Sequence, residues 1–147
     1  MNFKTIKFHV EDNVAFIELN RPDQYNALDQ LMAEELFKIS LECDDNENIR
    51  SVALTGAGEK AFCAGGDLNS FHKQGKKISS HLKEVTTILH GAISRFSRMN
   101  APLIVGVNGI AAGAGFSFVG FADMVIASSN AKFVSAYSKA GLTPDGS

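Results

Sequence analysis

Apolar and polar residues alternate with period two at the start of the chain. Ile6, Phe8 and Val10 are spaced by polar neighbours, Glu11-Asp12-Asn13 supplies a turn, and Val14-Ala15-Phe16-Ile17-Glu18-Leu19 returns. This pattern predicts a β-hairpin. Asn20-Arg21-Pro22-Asp23-Gln24 breaks the strand, and Asp29 is placed to cap a helix carrying Leu31, Met32, Leu36, Ile39 and Leu41. The polar run 44–48 ends that helix, and residues 52–55 predict a short buried strand closed by Gly56-Ala57-Gly58. Beyond a lysine-rich connector at 73–77, Leu82, Val85, Leu89, Ala92, Phe96 and Met99 recur at spacings of three and four, predicting a long amphipathic helix. Asn100-Ala101-Pro102 stops it. A strand up to Val107, a glycine-rich turn, a short helix from Phe116, a strand over 124–127 and an extended segment over 131–134 follow. The order β-β-α-β-α-β-α-β-β predicts an α/β fold with right-handed crossovers. Residues 141–147 read as a turn that should lead into another element, so the chain is expected to stop where a fold continues.

Composition narrows the class. With 147 residues, 45% of them hydrophobic, the chain can bury one core, expected as a single domain over 1–147. Charged residues are 20% and the formal net charge is −2, so no basic excess points to nucleic acid or an anionic membrane. No apolar run reaches a spanning length, and the polar start does not read as a signal peptide. Cys43 and Cys63 are too few for a disulfide framework and lack metal spacing, which favours packing thiols and a reducing, cytoplasmic setting. His9, His72, His81 and His90 show no ligand spacing either, so no metal is expected.

Two small-residue segments carry the candidate chemistry. One is Val107-Asn108-Gly109-Ile110-Ala111-Ala112-Gly113-Ala114-Gly115-Phe116-Ser117-Phe118, between a strand and a helix. The other is Ala61-Phe62-Cys63-Ala64-Gly65-Gly66-Asp67-Leu68. A backbone with few side chains lets a ligand approach closely, and a helix start presents unpaired N–H groups. Two such loops converging would suit an oxygen that gains negative charge during a reaction. Gly113-Ala114-Gly115-Phe116-Ser117-Phe118 lacks the third glycine of a dinucleotide fingerprint, and no Walker A lysine is present.

Leu19-Asn20-Arg21-Pro22 with Asn26-Ala27-Leu28, the two glycine segments, Ala122-Asp123-Met124-Val125-Ile126-Ala127, and Ala131-Lys132-Phe133 with Gly141-Leu142-Thr143-Pro144-Asp145-Gly146 occur in this order. Together they resemble the crotonase superfamily, the enoyl-CoA hydratases and isomerases, essentially from end to end. The resemblance implies a spiral of repeated strand-strand-helix units, truncated before the C-terminal helices. It implies an acyl-CoA substrate with no separate cofactor, and a homo-oligomer, a trimer or dimer of trimers. It also implies that the thioester oxygen accepts hydrogen bonds from the backbone N–H groups of Ala64 and Ala114. Gln24, Ala27, Ala61, Phe62, Gly66, Asp67 and Leu68 would line the CoA channel. On local chemistry alone, Phe62 is equally a core residue and Asp67 a helix-start residue.

The chain departs from the hydratase pattern. The two glutamates that activate and protonate across a water would fall at Ser117 and Tyr137, which the resemblance leaves as polar groups of the pocket. Asp145 stands where isomerases carry a single carboxylate. Its Pro-Asp-Gly setting alone reads as a turn; its place in the family pattern implies a proton shuttle between two carbons of the acyl chain. The expected activity is a double-bond shift in an unsaturated acyl-CoA. The alternatives are a hydratase with atypical acid and base groups, or a non-catalytic acyl-CoA-binding or oligomer-forming remnant. The family continues past this length with helices that cover the acyl pocket, so the chain is expected to be a fragment or to have reduced activity.

Overall fold

The computed structural model describes residues 2–144. The predicted hairpin is present as β1 (Ile6–Glu11) and β2 (Val14–Leu19), antiparallel with Ile6 opposite Leu19. Its two-residue turn puts Asp12 and Asn13 at φ 48° and 65°. Two positive φ values match the right-handed twist of the strands they join.

Helix α1 (Gln30–Asp45) starts at Asp29, whose side chain accepts from the Met32 N–H at 2.9 Å, as the sequence predicts. Met32, Leu36 and Ile39 are buried as expected, but Leu31 faces outward. Position 35 takes an inward place instead. Glu35 is buried and accepts hydrogen bonds from Lys4 N–H, Thr5 N–H and the Thr5 hydroxyl, which fastens the start of the chain to α1.

Three further units share one plan. Each sends a strand into a large sheet, then a three-residue strand into a small one, then a helical segment. They are β3 (Ser51–Gly56), β4 (Ala61–Cys63), α2 (Leu68–His72) and α3 (Ile78–Phe96); β5 (Leu103–Val107), β6 (Ile110–Ala112) and α4 (Ala114–Gly120); and β7 (Met124–Ala127), β8 (Lys132–Val134) and a 3-10 helix over Tyr137–Ala140. The large sheet runs β1-β2-β3-β5-β7 and the small sheet β4-β6-β8, with every pair parallel except β1 with β2. Parallel neighbours require crossovers, which the helices supply. Strands β4 and β6 and helix α2 are absent from the sequence-based expectation, because three to five residues are too few to display a period.

One face of the large sheet is closed. Ala15, Ile17, Leu19, Val52, Leu54, Leu103, Val105 and Val107 share a core with Met32, Leu36, Val85 and Leu89 of α1 and α3. The other face is open: Phe16, Met124 and Ile126 are exposed. Helix α4 begins at Ala114, two residues before the expected start at Phe116. That shift decides which amide leads the helix.

Candidate active site

The segment 20–28 folds back on the first glycine loop and fixes its backbone. Asn26 is fully buried. Its side-chain amide donates to the Ala57 and Ala61 carbonyls at 2.9 and 3.0 Å, and its carbonyl accepts from Arg21 N–H at 2.9 Å. Beside it, the Tyr25 carbonyl accepts from Ala64 N–H at 3.0 Å. Leu28 then forms a parallel bridge to Gly66, donating to the Gly65 carbonyl at 2.7 Å and accepting from Asp67 N–H at 2.8 Å.

This pairing corrects the expected donor. The Ala64 amide is spent on Tyr25 and has no proton left for a ligand. Gly66, bonded through neither of its own backbone groups to Leu28, turns its N–H away from that partner, as parallel pairing requires. The Gly66 N–H makes no hydrogen bond among the described residues.

The second loop ends at Gly113, which has φ 51° and donates to the Val134 carbonyl at 3.1 Å. Phe116 and Ser117 N–H both return to the Gly113 carbonyl. Ala114 is therefore the first residue of α4, and its N–H has no intrahelical acceptor. The two loops meet backbone to backbone. A Cβ at Gly65 would lie 2.8 Å from the Ala112 carbonyl oxygen, and one at Gly115 would overlap the Cys63 carbonyl oxygen. Only residues without side chains allow that approach.

Gly66 and Ala114 line one cavity of about 130 Å³ together with Leu28, Phe71, Val85 and Tyr137. Among the described residues lining it, Thr86 and Tyr137 bring hydroxyls and none is acidic. The Thr86 hydroxyl is turned back onto the Leu82 carbonyl at 2.8 Å. Tyr137 meets Ser117, a buried residue of α4, at 2.8 Å between their hydroxyl oxygens. Of the expected site residues, Ala64, Gly66, Leu68, Ala114 and Tyr137 line the cavity, and Ser117 joins them through its hydrogen bond to Tyr137.

Most of the other expected residues lie elsewhere. Phe62 is fully buried, its ring edge-on to Phe118 with centroids 6.3 Å apart, so it is a core residue and cannot line a channel. Ala27 and Ala61 are buried, Gln24 is exposed, and none of the three lines the cavity. Ala61 borders a separate hollow with Asp23 and Lys60. Leu68 lies at the cavity and is exposed. Asp145 lies outside the described residues.

Asp67 serves as helix cap and ion-pair partner. One carboxyl oxygen accepts from Ser70 N–H at 3.0 Å, capping α2, and the other is 2.8 Å from Arg21 Nη2. Burial pushes its pKa up, but the Arg21 hydrogen bond and charge, with the Ser70 and Asn69 amides, outweigh it and hold the carboxyl below its usual range. Cys63, behind the loop, is inert: burial pushes its thiol up to about 12 despite a hydrogen bond from the Gly65 amide. Among the described residues no group of three or more His, Cys, Asp or Glu could hold a metal ion, and no helix is long and apolar enough to cross a membrane.

The Arg21–Asp67 ion pair and the unspent Gly66 amide are visible only in the fold. The strand-breaking Asn-Arg-Pro run carries the only sequence signal for the first, and nothing local distinguishes Gly66 from Ala64 as a donor.

Residues 9–147 match the family model described as enoyl-CoA hydratase/isomerase. The chain is 38% identical over 138 residues to 1,2-epoxyphenylacetyl-CoA isomerase of Escherichia coli (strain K12), covering 93% of this chain and 52% of that protein. It is 37% identical over 145 residues to a protein of Rhodobacter capsulatus named probable enoyl-CoA hydratase, covering 99% and 54%. The crystal structure of an enoyl-CoA hydratase from Polaromonas sp. JS666 superposes with a TM-score of 0.88 at 36% identity, over 96% of this chain and 55% of that one. The chain spans about half the length of these relatives. Its paired sheets, its spiral of strand-strand-helix units and its sequence place it in the enoyl-CoA hydratase/isomerase family, the crotonase superfamily.

Proposed function

We propose that this chain carries the thioester-binding core of an acyl-CoA enzyme that shifts a double bond in an unsaturated acyl-CoA. The observation that carries the reading is that Gly66 and Ala114, whose N–H groups make no hydrogen bond among the described residues, both line an apolar cavity whose described wall holds hydroxyls and no carboxylate. A thioester oxygen seated there accepts from both N–H groups. When a base removes a proton from the adjacent carbon, the electron pair moves through the carbon–carbon bond onto that oxygen, and the fixed donors stabilise the enolate. Returning the proton at the γ carbon regenerates the thioester and completes the shift.

Asp145 is the proposed carrier of that proton. Hydration by the family's paired glutamates is disfavoured, since their positions hold Ser117 and Tyr137. We take the protein to work in the cytoplasm as a homo-oligomer, a trimer or dimer of trimers. The exposed apolar side chains Met124, Ile126 and Phe133 offer surface that such an assembly would bury.

The test is incubation with 3-hexenoyl-CoA in D2O. The reading predicts 2-hexenoyl-CoA carrying deuterium, with exchange abolished and binding retained in Asp145→Ala. Exchange unchanged in that variant would remove Asp145 from the mechanism. Water addition to 2-hexenoyl-CoA that survives the substitution would favour the hydratase, and binding without turnover the non-catalytic binder.

A further inference from the structure

We infer that Arg21 is a positioning residue for the Gly66 donor, holding the donor peptide in register through Asp67. The inference rests on the acyl-CoA reading above and adds to it the side chain that fixes one of the two amides.

Gly65 and Gly66 are consecutive glycines, the residues with the widest backbone freedom. Gly66 cannot be stiffened by a side chain of its own, because a Cβ there would lie 2.6 Å from the Phe71 ring. The placement of its N–H has to come from its neighbours. The bridge to Leu28 sets the direction of that N–H, and Arg21 clamps both sides of the bridge. Its guanidinium donates to the Ala27 carbonyl and approaches Asp29 Oδ2 at 3.3 Å, one residue on either side of Leu28. On the opposite strand it holds Asp67 Oδ2 at 2.8 Å, the residue after Gly66. One planar fork thus spans three acceptors on two segments, a geometry the point charge of lysine cannot reproduce. The side chains of Arg21 and Asp67 are only 15% and 11% exposed, so solvent screens this pair far less than a surface pair.

The experiment compares Arg21→Gln, Arg21→Lys and Asp67→Asn in the full chain, with 2,4-hexadienoyl-CoA as the optical probe and 3-hexenoyl-CoA as the kinetic one. Asparagine at 67 retains the cap on Ser70 while turning its amide NH2, a donor, towards the Arg21 donors, so helix α2 keeps its start while the clamp opens. Polarisation of the bound carbonyl shifts the dienoyl absorption to longer wavelength. The inference predicts that Arg21→Gln and Asp67→Asn lose about half of that shift and about tenfold or more in kcat, with KM within about twofold, because a donor displaced by a fraction of an ångström fails mainly in the transition state. Arg21→Lys should recover only part of the loss, and the double variant should be scarcely worse than either single one. Circular dichroism and melting temperature are read in parallel; where Arg21→Gln fails to fold, Asp67→Asn decides. A full red shift with unchanged kcat in a folded Asp67→Asn would overturn the inference. A wild-type chain that binds the dienoyl probe without any shift would overturn the oxyanion reading and the inference with it.

Discussion

The hydroxyl oxygens of Ser117 and Tyr137 lie 2.8 Å apart, joining the second turn of α4 to the 3-10 helix twenty residues later. Tyr137 lines the apolar cavity and Ser117 is buried, so their mutual hydrogen bond offsets part of the cost of taking the hydroxyls out of water. Replacing Ser117 by alanine removes one such bond and should lower stability by about 1 kcal/mol. Urea denaturation of the variant measures this, and an unchanged midpoint would show that the contact carries no net stability.

Gly115 allows α4 to rest directly on the backbone of β4. In Gly115→Ala the new methyl group meets the Cys63 carbonyl and side chain with no flexible atom to yield. Overpacking of this kind costs about 1–3 kcal/mol. Because the displaced backbone carries both donor loops, loss of thioester polarisation should accompany the lower melting temperature. A variant with native stability would contradict the close approach.

The pH dependence of stability has a defined sign at Asp67. Its folded carboxyl ionises below the ordinary value of 3.8. Between the folded and unfolded values the folded chain binds fewer protons. The contribution is therefore fully present above the unfolded value and lost as pH falls through the folded one. Acid titration monitored by circular dichroism should show a shallower decline below about pH 4 for Asp67→Asn than for the wild type. Parallel curves would remove Asp67 from the acid transition.

The two thiols provide a test of packing. Burial pushes Cys63 up to about 12, and burial together with the Glu42 charge does the same for Cys43. Both thiols are then protonated at pH 8, so labelling by dithiobis(nitrobenzoate) should be slow and should track global unfolding in urea. Rapid labelling in buffer would place one of them nearer the surface.

Long periodic segments made much of this fold legible beforehand. The alternation of Ile6, Phe8 and Val10, the Asp29 cap and the spacing of Val85, Leu89, Ala92 and Phe96 each determine an element by local physics. Strands β4 and β6 were not legible, since three residues have no period and they pair with each other across some fifty residues of chain. The site was half legible. Small residues at 113–115 signalled a close approach, and the first amide of α4 follows once its start is known. The unspent amide at Gly66 was not legible. Whether Ala64 or Gly66 is spent depends on the carbonyls of Tyr25 and Leu28, some forty residues earlier in the chain. Arg21 was hidden for the same reason: its partners at 27, 29 and 67 meet only in the folded chain.

Polarisation of the thioester by Gly66 and Ala114 is read from the infrared stretch of a thioester carbonyl labelled with carbon-13, bound to the wild-type chain and to Ala114→Pro. Proline is tolerated at the first position of a helix, so the substitution deletes the N–H while α4 retains its start. If Gly66 and Ala114 polarise the carbonyl, the stretch falls on binding to the wild type and recovers towards its solution value in the variant. Turnover of the variant should drop about a hundredfold. Identical frequencies for the bound wild type, the bound variant and the free thioester in water would rule out polarisation by these two amides.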